Sequence, residues 1–162
     1  MLKAIIYQDS PIGLLEICGE DEWITAVNFV DSANEEVLLS PVVQQCALQL
    51  GEFFSGKRKE FNLNLKPEGT EFQLKVWEQL VNIPFGETIS YLTLAKQLGD
   101  PKATRAAGLA NGKNPVSIII PCHRVIGANG KLIGYAGGLW RKKWLLNHEN
   151  SFAKNDLFNS IS

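Results

Sequence analysis

Apolar and polar positions change period twice along the chain. Residues 2–7, 12–18 and 23–30 are short runs rich in β-branched and aromatic side chains, separated by Asp9, Ser10 and Pro11 and by Gly19, Glu20 and Asp21. Runs of that length between turn formers predict three strands of a small antiparallel sheet. Ser40 and Pro41 then offer an N-cap and a first-turn proline, and Val43, Cys46, Ala47, Leu50, Phe53 and Phe54 fall on one helical face before Gly56. Phe61, Leu63 and Leu65 alternate with polar residues and predict one more strand, and Lys66, Pro67, Glu68 and Gly69 read as a linker. From Thr70, a natural N-cap, the period is helical, with Phe72, Val76, Leu80 and Ile83 on one face. Ser90 caps a helix through Leu98, Gly99 stops it, and Asp100 and Pro101 start another that runs to about Ala110, a helix-turn-helix pattern. Residues 138–149 predict an amphipathic helix and residues 151–162 a frayed tail. The expected fold class is α+β: an N-terminal α/β domain with an antiparallel sheet at 1–68, a mainly helical domain at 69–150, and the tail.

Composition narrows the setting. A chain of 162 residues with 45% hydrophobic content can bury one or two small cores. It has no apolar run near the roughly 18 to 20 residues that span a bilayer, and residues 1–13 lack the pattern of a signal peptide. The expectation is an intracellular protein, cytoplasmic or, in a eukaryote, nuclear, with no membrane partner and no partner chain. Cys18, Cys46 and Cys122 form no short-spaced metal pair, and an odd number argues against a disulfide framework. No metal and no cofactor is expected. The net charge of -1 hides an asymmetry. Residues 1–87 carry 6 Lys/Arg against 14 Asp/Glu, a balance of -8, whereas residues 88–148 carry nine basic residues and only Asp100, a balance of +8. A basic half suits phosphate contacts, and it equally suits a solvated face.

The second helix of the pair has an unusual composition. Alanine and glycine dominate it, and Gly108 costs about 1 kcal/mol of helix propensity relative to alanine. Small residues allow another surface to come close, whether a neighbouring helix or a DNA groove. Lys102, Arg105 and Lys113 flank the small residues Ala106, Ala107 and Gly108, which brings the groove into consideration.

Cys122 lies between the apolar run 116–120 and a polar, glycine-rich loop, followed by His123 and Arg124. Attack on carbon requires the thiolate, which a free cysteine with pKa near 8.5 supplies only in small part at neutral pH, so a neighbouring base or cation helps. A Cys-His pair alone fits a small core cysteine as well, and its surroundings decide.

Those surroundings resemble the O6-alkylguanine-DNA alkyltransferases, the methylated-DNA–protein-cysteine methyltransferases. The resemblance runs from about Phe72 to Glu149 through GETISY at 86–91, PKATRAAG at 101–108, NGKNPVSIIIPCHRV at 111–125 and GYAGGLWRKKWLLNHE at 134–149. It implies a ribonuclease H-like N-terminal domain, a winged-helix-like helix-turn-helix, and a suicide enzyme that repairs double-stranded DNA containing O6-alkylguanine. The alkyl group passes to Cys122, activated by His123 through a water, with Glu149 orienting the histidine. Tyr91 donates to a purine ring nitrogen, and Asn114 braces the active-site turn. Val125, Tyr135, Ala136 and Gly137 match the substrate pocket, and Arg105 matches an arginine that fills the gap left by a flipped-out base, with Ala106, Ala107, Gly108, Lys102, Lys113 and Arg124 against the DNA. Ala136 stands where many relatives carry a serine, which removes one side-chain donor. Three alternatives carry less. Non-catalytic alkyltransferase-like proteins lack the cysteine, a transcription factor would present more polar base-reading side chains, and a cysteine hydrolase does not account for the basic helix pair.

Overall fold

The computed structural model describes residues 2–161, with side chains through Ala153. It contains two compact units: residues 2–68 with Pro115–Ile119, and Gly69–Asn114 with residues 120–161.

In the first unit three strands form an antiparallel meander in the order β1 (Lys3–Ser10), β2 (Gly13–Glu20), β3 (Trp23–Val30). The register runs from Lys3↔Glu20 to Ser10↔Gly13 and from Leu14↔Val30 to Glu20↔Trp23, with an irregularity at Cys18/Gly19. The first two strands extend beyond their expected ends at Tyr7 and Cys18. Helix α1 (Pro41–Phe54) closes one face, burying Val43, Cys46, Leu50 and Phe53 with Leu15, Ile17, Ile24 and Val27 of the sheet. Each such side chain contributes about 1.5–3 kcal/mol when fully buried. Gly19 permits this packing, because a Cβ there would stand 2.9 Å from Val43 Cγ1. Ser40 occupies the N-cap position as expected, but its hydroxyl makes no capping bond.

The strand expected around Phe61, Leu63 and Leu65 does not form. Only a bridge of Leu65 to Ile24 is present, because the Gln49 amide takes both backbone groups of Asn62, accepting at 2.8 Å and donating at 3.1 Å. A side chain thus satisfies the groups a sheet ladder would have used. Residues 115–117 bridge β3 instead: Val27 N donates to Pro115 O at 2.9 Å and Ser117 N to Val27 O at 3.0 Å.

The second unit begins with α2 (Glu71–Leu80), fixed by a capping box in which Thr70 and Gln73 satisfy each other's backbone N–H groups. Val76, Leu80 and Ile83 are buried as expected. Phe72 is instead 38% exposed, and Trp77 takes the interior, its Nε1 donating 2.8 Å to Ala110 O. Strand β4 (Ile89–Ser90) leads into α3 (Tyr91–Gln97), which Ser90 caps through Thr93 N and Gly99 terminates at φ +89°. A 3₁₀ turn at Pro101–Ala103 precedes α4 (Thr104–Gly112), completing the helix-turn-helix. A 3₁₀ turn at Cys122–Arg124 and strand β5 (Val125–Ile126), parallel to β4, follow. The last helix, α5, runs Leu139–Ile161 and passes the end expected at Glu149. Trp144 and His148 stack with centroids 4.8 Å apart, and Phe152 meets His148 edge-on at 4.9 Å, so side-chain packing along the helix continues into the start of the segment read as a tail. Ser162 of that segment lies outside the described residues. No helix among the described residues is long and apolar enough to cross a membrane.

Candidate functional site

The chain enters the cysteine turn through an unusual backbone. Ile118 is buried at φ +73°, a region β-branched residues rarely adopt, and this costs on the order of 1–3 kcal/mol. In the second unit two asparagines hold the turn that follows. Asn114 Nδ2 donates 2.8 Å to Ile120 O, and Asn111 Nδ2 donates 3.2 Å to Cys122 O. Asn114 thus holds the carbonyl two residues before Cys122. Asn111, buried on the inner face of α4, holds that of Cys122 itself from the helix, a role the sequence pattern did not reveal.

Behind Cys122 lies a buried ionic group. His123 Nε2 meets Glu149 Oε2 at 2.6 Å, and Arg124 donates from Nε to Oε1 at 2.8 Å and from Nη2 to Oε2 at 3.0 Å. Gly86 N adds a donor to Oε1 at 3.3 Å. Burial alone would push the Glu149 carboxyl up, but the imidazole and guanidinium against it outweigh that and hold it at about 2. Burial pushes His123 down, so the ring is neutral at pH 7. A neutral ring that donates from Nε2 to the carboxylate carries its lone pair on Nδ1, which is buried and has no protein partner. Arg124 departs from expectation. It is buried, and its remaining donor goes 2.7 Å to Ile83 O, so its guanidinium locks Glu149 in place and does not face phosphate.

Lys142 is a second buried cation of this unit, and its charge favours the Cys122 thiolate. Burial pushes the thiol up, and the Asn114 hydrogen bond and the Lys142 charge oppose that rise. Lys142 is 0% exposed, and its Nζ donates to Val125 O at 2.7 Å, Ile133 O at 2.9 Å and Gly134 O at 3.3 Å, with Tyr91 Oη at 3.5 Å. Burial lowers its pKa to about 8, against the opposing pull of Cys122. In the sequence it sits in the basic run 141–143 and reads as one solvated charge among three. The only earlier signal is its spacing: Leu145 and Glu149, both buried, lie three and seven residues on, along the same helical face.

Tyr91, the first residue of α3, lies between α4 and the loop before α5. A Cβ on Gly108 would stand 3.4 Å from its ring, and its hydroxyl donates 2.9 Å to Ile133 O. It lines a cleft of about 1110 Å³ together with Lys102, Arg105, Gly108, Leu109, Asn111, Ile133, Tyr135 and Ala136. Lys102, Arg105, Ala106 and Lys113 are exposed, whereas Ala107 is fully buried and serves helix packing. Gly137 does not line the cleft; its carbonyl accepts 2.7 Å from Arg141 Nη1. Val125, which matches the substrate pocket in the sequence, is buried, and its carbonyl receives Lys142. A neutral histidine base, a cysteine and a phenol beside a basic cleft can together move an alkyl group from an electrophilic carbon to sulfur.

Comparisons with known proteins cover nearly the whole chain. Residues 71–151 match the family described as 6-O-methylguanine DNA methyltransferase, DNA binding domain, and residues 2–67 match its ribonuclease-like domain. A methylated-DNA–protein-cysteine methyltransferase of Methanosarcina acetivorans is 48% identical over 88% of this chain and 96% of its own. The crystal structure of the Mycobacterium tuberculosis O6-methylguanine methyltransferase has a TM-score of 0.84 at 43% identity, covering 93% of this chain and 94% of that one. The same organism's protein in complex with DNA has a TM-score of 0.83 at 45% identity, covering 93% of each chain.

Proposed function

The chain belongs to the 6-O-methylguanine DNA methyltransferase family and is a DNA-binding repair enzyme that transfers a methyl group from DNA to its own cysteine, and on that premise we propose which residues carry the transfer. Cys122 is the acceptor, the substrate is O6-alkylguanine flipped out of duplex DNA, and the protein acts as a monomer.

The observation that carries this reading is the buried His123, anchored on Glu149 through Nε2 and unpaired at Nδ1, next in the chain to a cysteine whose thiol burial keeps protonated. Nδ1 takes the thiol proton, through a water, as sulfur approaches the alkyl carbon. The carbon to sulfur bond forms while the carbon to O6 bond breaks, and its electron pair passes into the purine. Glu149 and Arg124 keep the imidazole aligned and stabilise the imidazolium. Tyr91 swings its hydroxyl from Ile133 O to a ring nitrogen of the guanine and neutralises the developing charge, with Lys142 beside the phenol to stabilise its loss of a proton. The products are guanine and S-alkylcysteine. A thioether is a poor leaving group, so each molecule acts once.

Flipping costs a few kcal/mol and requires something to fill the gap. Arg105, exposed on α4 at the cleft, fills it, while Lys102 and Lys113 take phosphate. Cys122 with its base favours transfer over lesion recognition without chemistry. The test is a duplex in which one O6-methylguanine blocks a restriction enzyme. Wild type restores cleavage in proportion to protein added, and Cys122→Ala binds the duplex without restoring it. Restoration by Cys122→Ala contradicts the assignment.

A further inference from the structure

We propose that Leu109 is a positioning residue for the lesion, an apolar contact for the deoxyribose of the flipped nucleotide and for the minor-groove sugar beside the gap. The inference rests on the reading above and deepens it.

Helix α4 shows two faces. Ala107, Ala110 and Asn111 are buried, while Arg105, Leu109 and Gly112, with Lys102 of the preceding 3₁₀ turn, are exposed at spacings of three and four, a stripe that lines the cleft. Leu109 is 66% exposed, the most exposed residue among the large hydrophobics of the described chain. Leucine is a good helix former, but so is alanine, which stands at 106, 107 and 110 of the same helix without placing an isobutyl group in water. The stripe follows a gradient of chemistry: two cations at its N-terminal end, then leucine, then glycine.

The opposite lip of the cleft matches it. Ile133 is 52% exposed and lines the same space, and Tyr91 connects the two, with its ring against Gly108, the neighbour of Leu109, and its hydroxyl on Ile133 O. Two exposed aliphatic side chains thus line the same cleft as the phenol proposed to meet the purine. A flipped nucleotide whose base lies along Tyr91 must pass its sugar between such lips. Deoxyribose presents a face of C–H groups that aliphatic side chains can desolvate, whereas the phosphates on either side suit Lys102 and Arg105. The pairing of charge with phosphate and leucine with sugar selects DNA as the occupant over an apolar peptide, which the flanking cations would not favour.

The test compares a substrate that has a sugar with one that lacks it. Single-turnover rates are measured for wild type, Leu109→Ala and Leu109→Gln on a duplex with one O6-methylguanine and on free O6-benzylguanine base, alongside thermal melting. Leu109 is 66% exposed, and alanine and glutamine are both good helix formers, so neither substitution disturbs the buried face of α4. The expected result is a loss of about tenfold in second-order rate on the duplex for both variants, with the free-base rate and Tm unchanged. An unchanged duplex rate, or an equal loss on duplex and free base, overturns the inference. If wild type alkylates with neither substrate, it is the proposed function that fails, and the two failures are therefore distinct.

Discussion

Replacing Glu149 with glutamine removes one charge and almost no volume, and the structure sets what that costs. The carboxylate receives His123, two donors of Arg124 and the Gly86 amide in a site 1% exposed. Holding it at about 2 in place of the ordinary 4.5 corresponds to about 3 kcal/mol favouring the ionised form. Removing one partner of a buried ion pair costs about 3–5 kcal/mol, because the guanidinium left behind stays buried and uncompensated. Both routes give about 3 kcal/mol or more, which at about 2–4 °C per kcal/mol lowers Tm by roughly 6–12 °C in a chain of this size. Activity suffers separately. A glutamine can present its amide N–H to His123 Nε2, turning the ring so that Nδ1 carries the proton, and misassigned tautomers in catalytic triads cost up to about 10⁴-fold. The assay is melting by circular dichroism together with single-turnover transfer well below the lowered Tm. A Tm within 2 °C of wild type, measured with transfer slowed less than about tenfold, refutes the argument that this carboxylate anchors both Arg124 and the base.

Three other outcomes follow from the same geometry. Stability declines with acid in two stages: His123, lowered by burial, contributes stability that is fully present above its ordinary 6.5 and erodes as pH falls below it, and Glu149 contributes stability present above 4.5 and lost as pH falls through about 2. Urea titrations from pH 8 to 3 will show both, and the first decline is absent in a variant that lacks His123 and still folds. Lys142→Met removes the cation acting on Cys122 and Tyr91, so transfer to free O6-benzylguanine slows by at least about tenfold at pH 7, and the wild-type rate falls above about pH 8 as the ammonium deprotonates. Arg105→Ala slows transfer from duplex DNA by about 10²-fold and leaves the free-base rate within twofold, because only the duplex has a gap to fill; stopped-flow measurement of both reactions checks it.

The parts of this fold that announce themselves in the sequence are those fixed by local pattern. Short β-branched and aromatic runs between turn formers mark the three strands, and Thr70, Ser90 and Gly99 mark helix ends because capping is a contact between near neighbours. What was illegible depends on partners distant in the chain. The alternation of Phe61, Leu63 and Leu65 predicted a strand, and the Gln49 amide captured the backbone instead. Phe72 and Trp77 compete for the interior of one short helix, and an indole N–H that finds Ala110 O decides between them. Charge misled as well. Arg124 and Lys142 carry the same sign as the exposed, cleft-lining Lys102 and Arg105, yet both are buried, one by Glu149 and the other by a ring of carbonyls. Cys122, His123 and Glu149 were legible as a set only through their resemblance to known alkyltransferases, since 26 residues separate the histidine from its carboxylate. Asn111 gave no signal, because an asparagine inside a helix declares nothing until the carbonyl it holds is known.

The central claim is that Cys122, alone of three cysteines, accepts one alkyl group and keeps it. Burial pushes the thiols of Cys18 and Cys46 up to about 11 and about 12, as it also raises Cys122, but of the three only Cys122 is followed in the chain by a buried histidine base. The direct measurement is intact-mass spectrometry after incubation with excess duplex containing O6-methylguanine, followed by peptide mapping. The account predicts the addition of a single CH₂ group, located on Cys122, with no second addition at longer times and none in Cys122→Ala. An unmodified wild-type protein that still binds the lesion, or a methyl group found on Cys18 or Cys46, contradicts it.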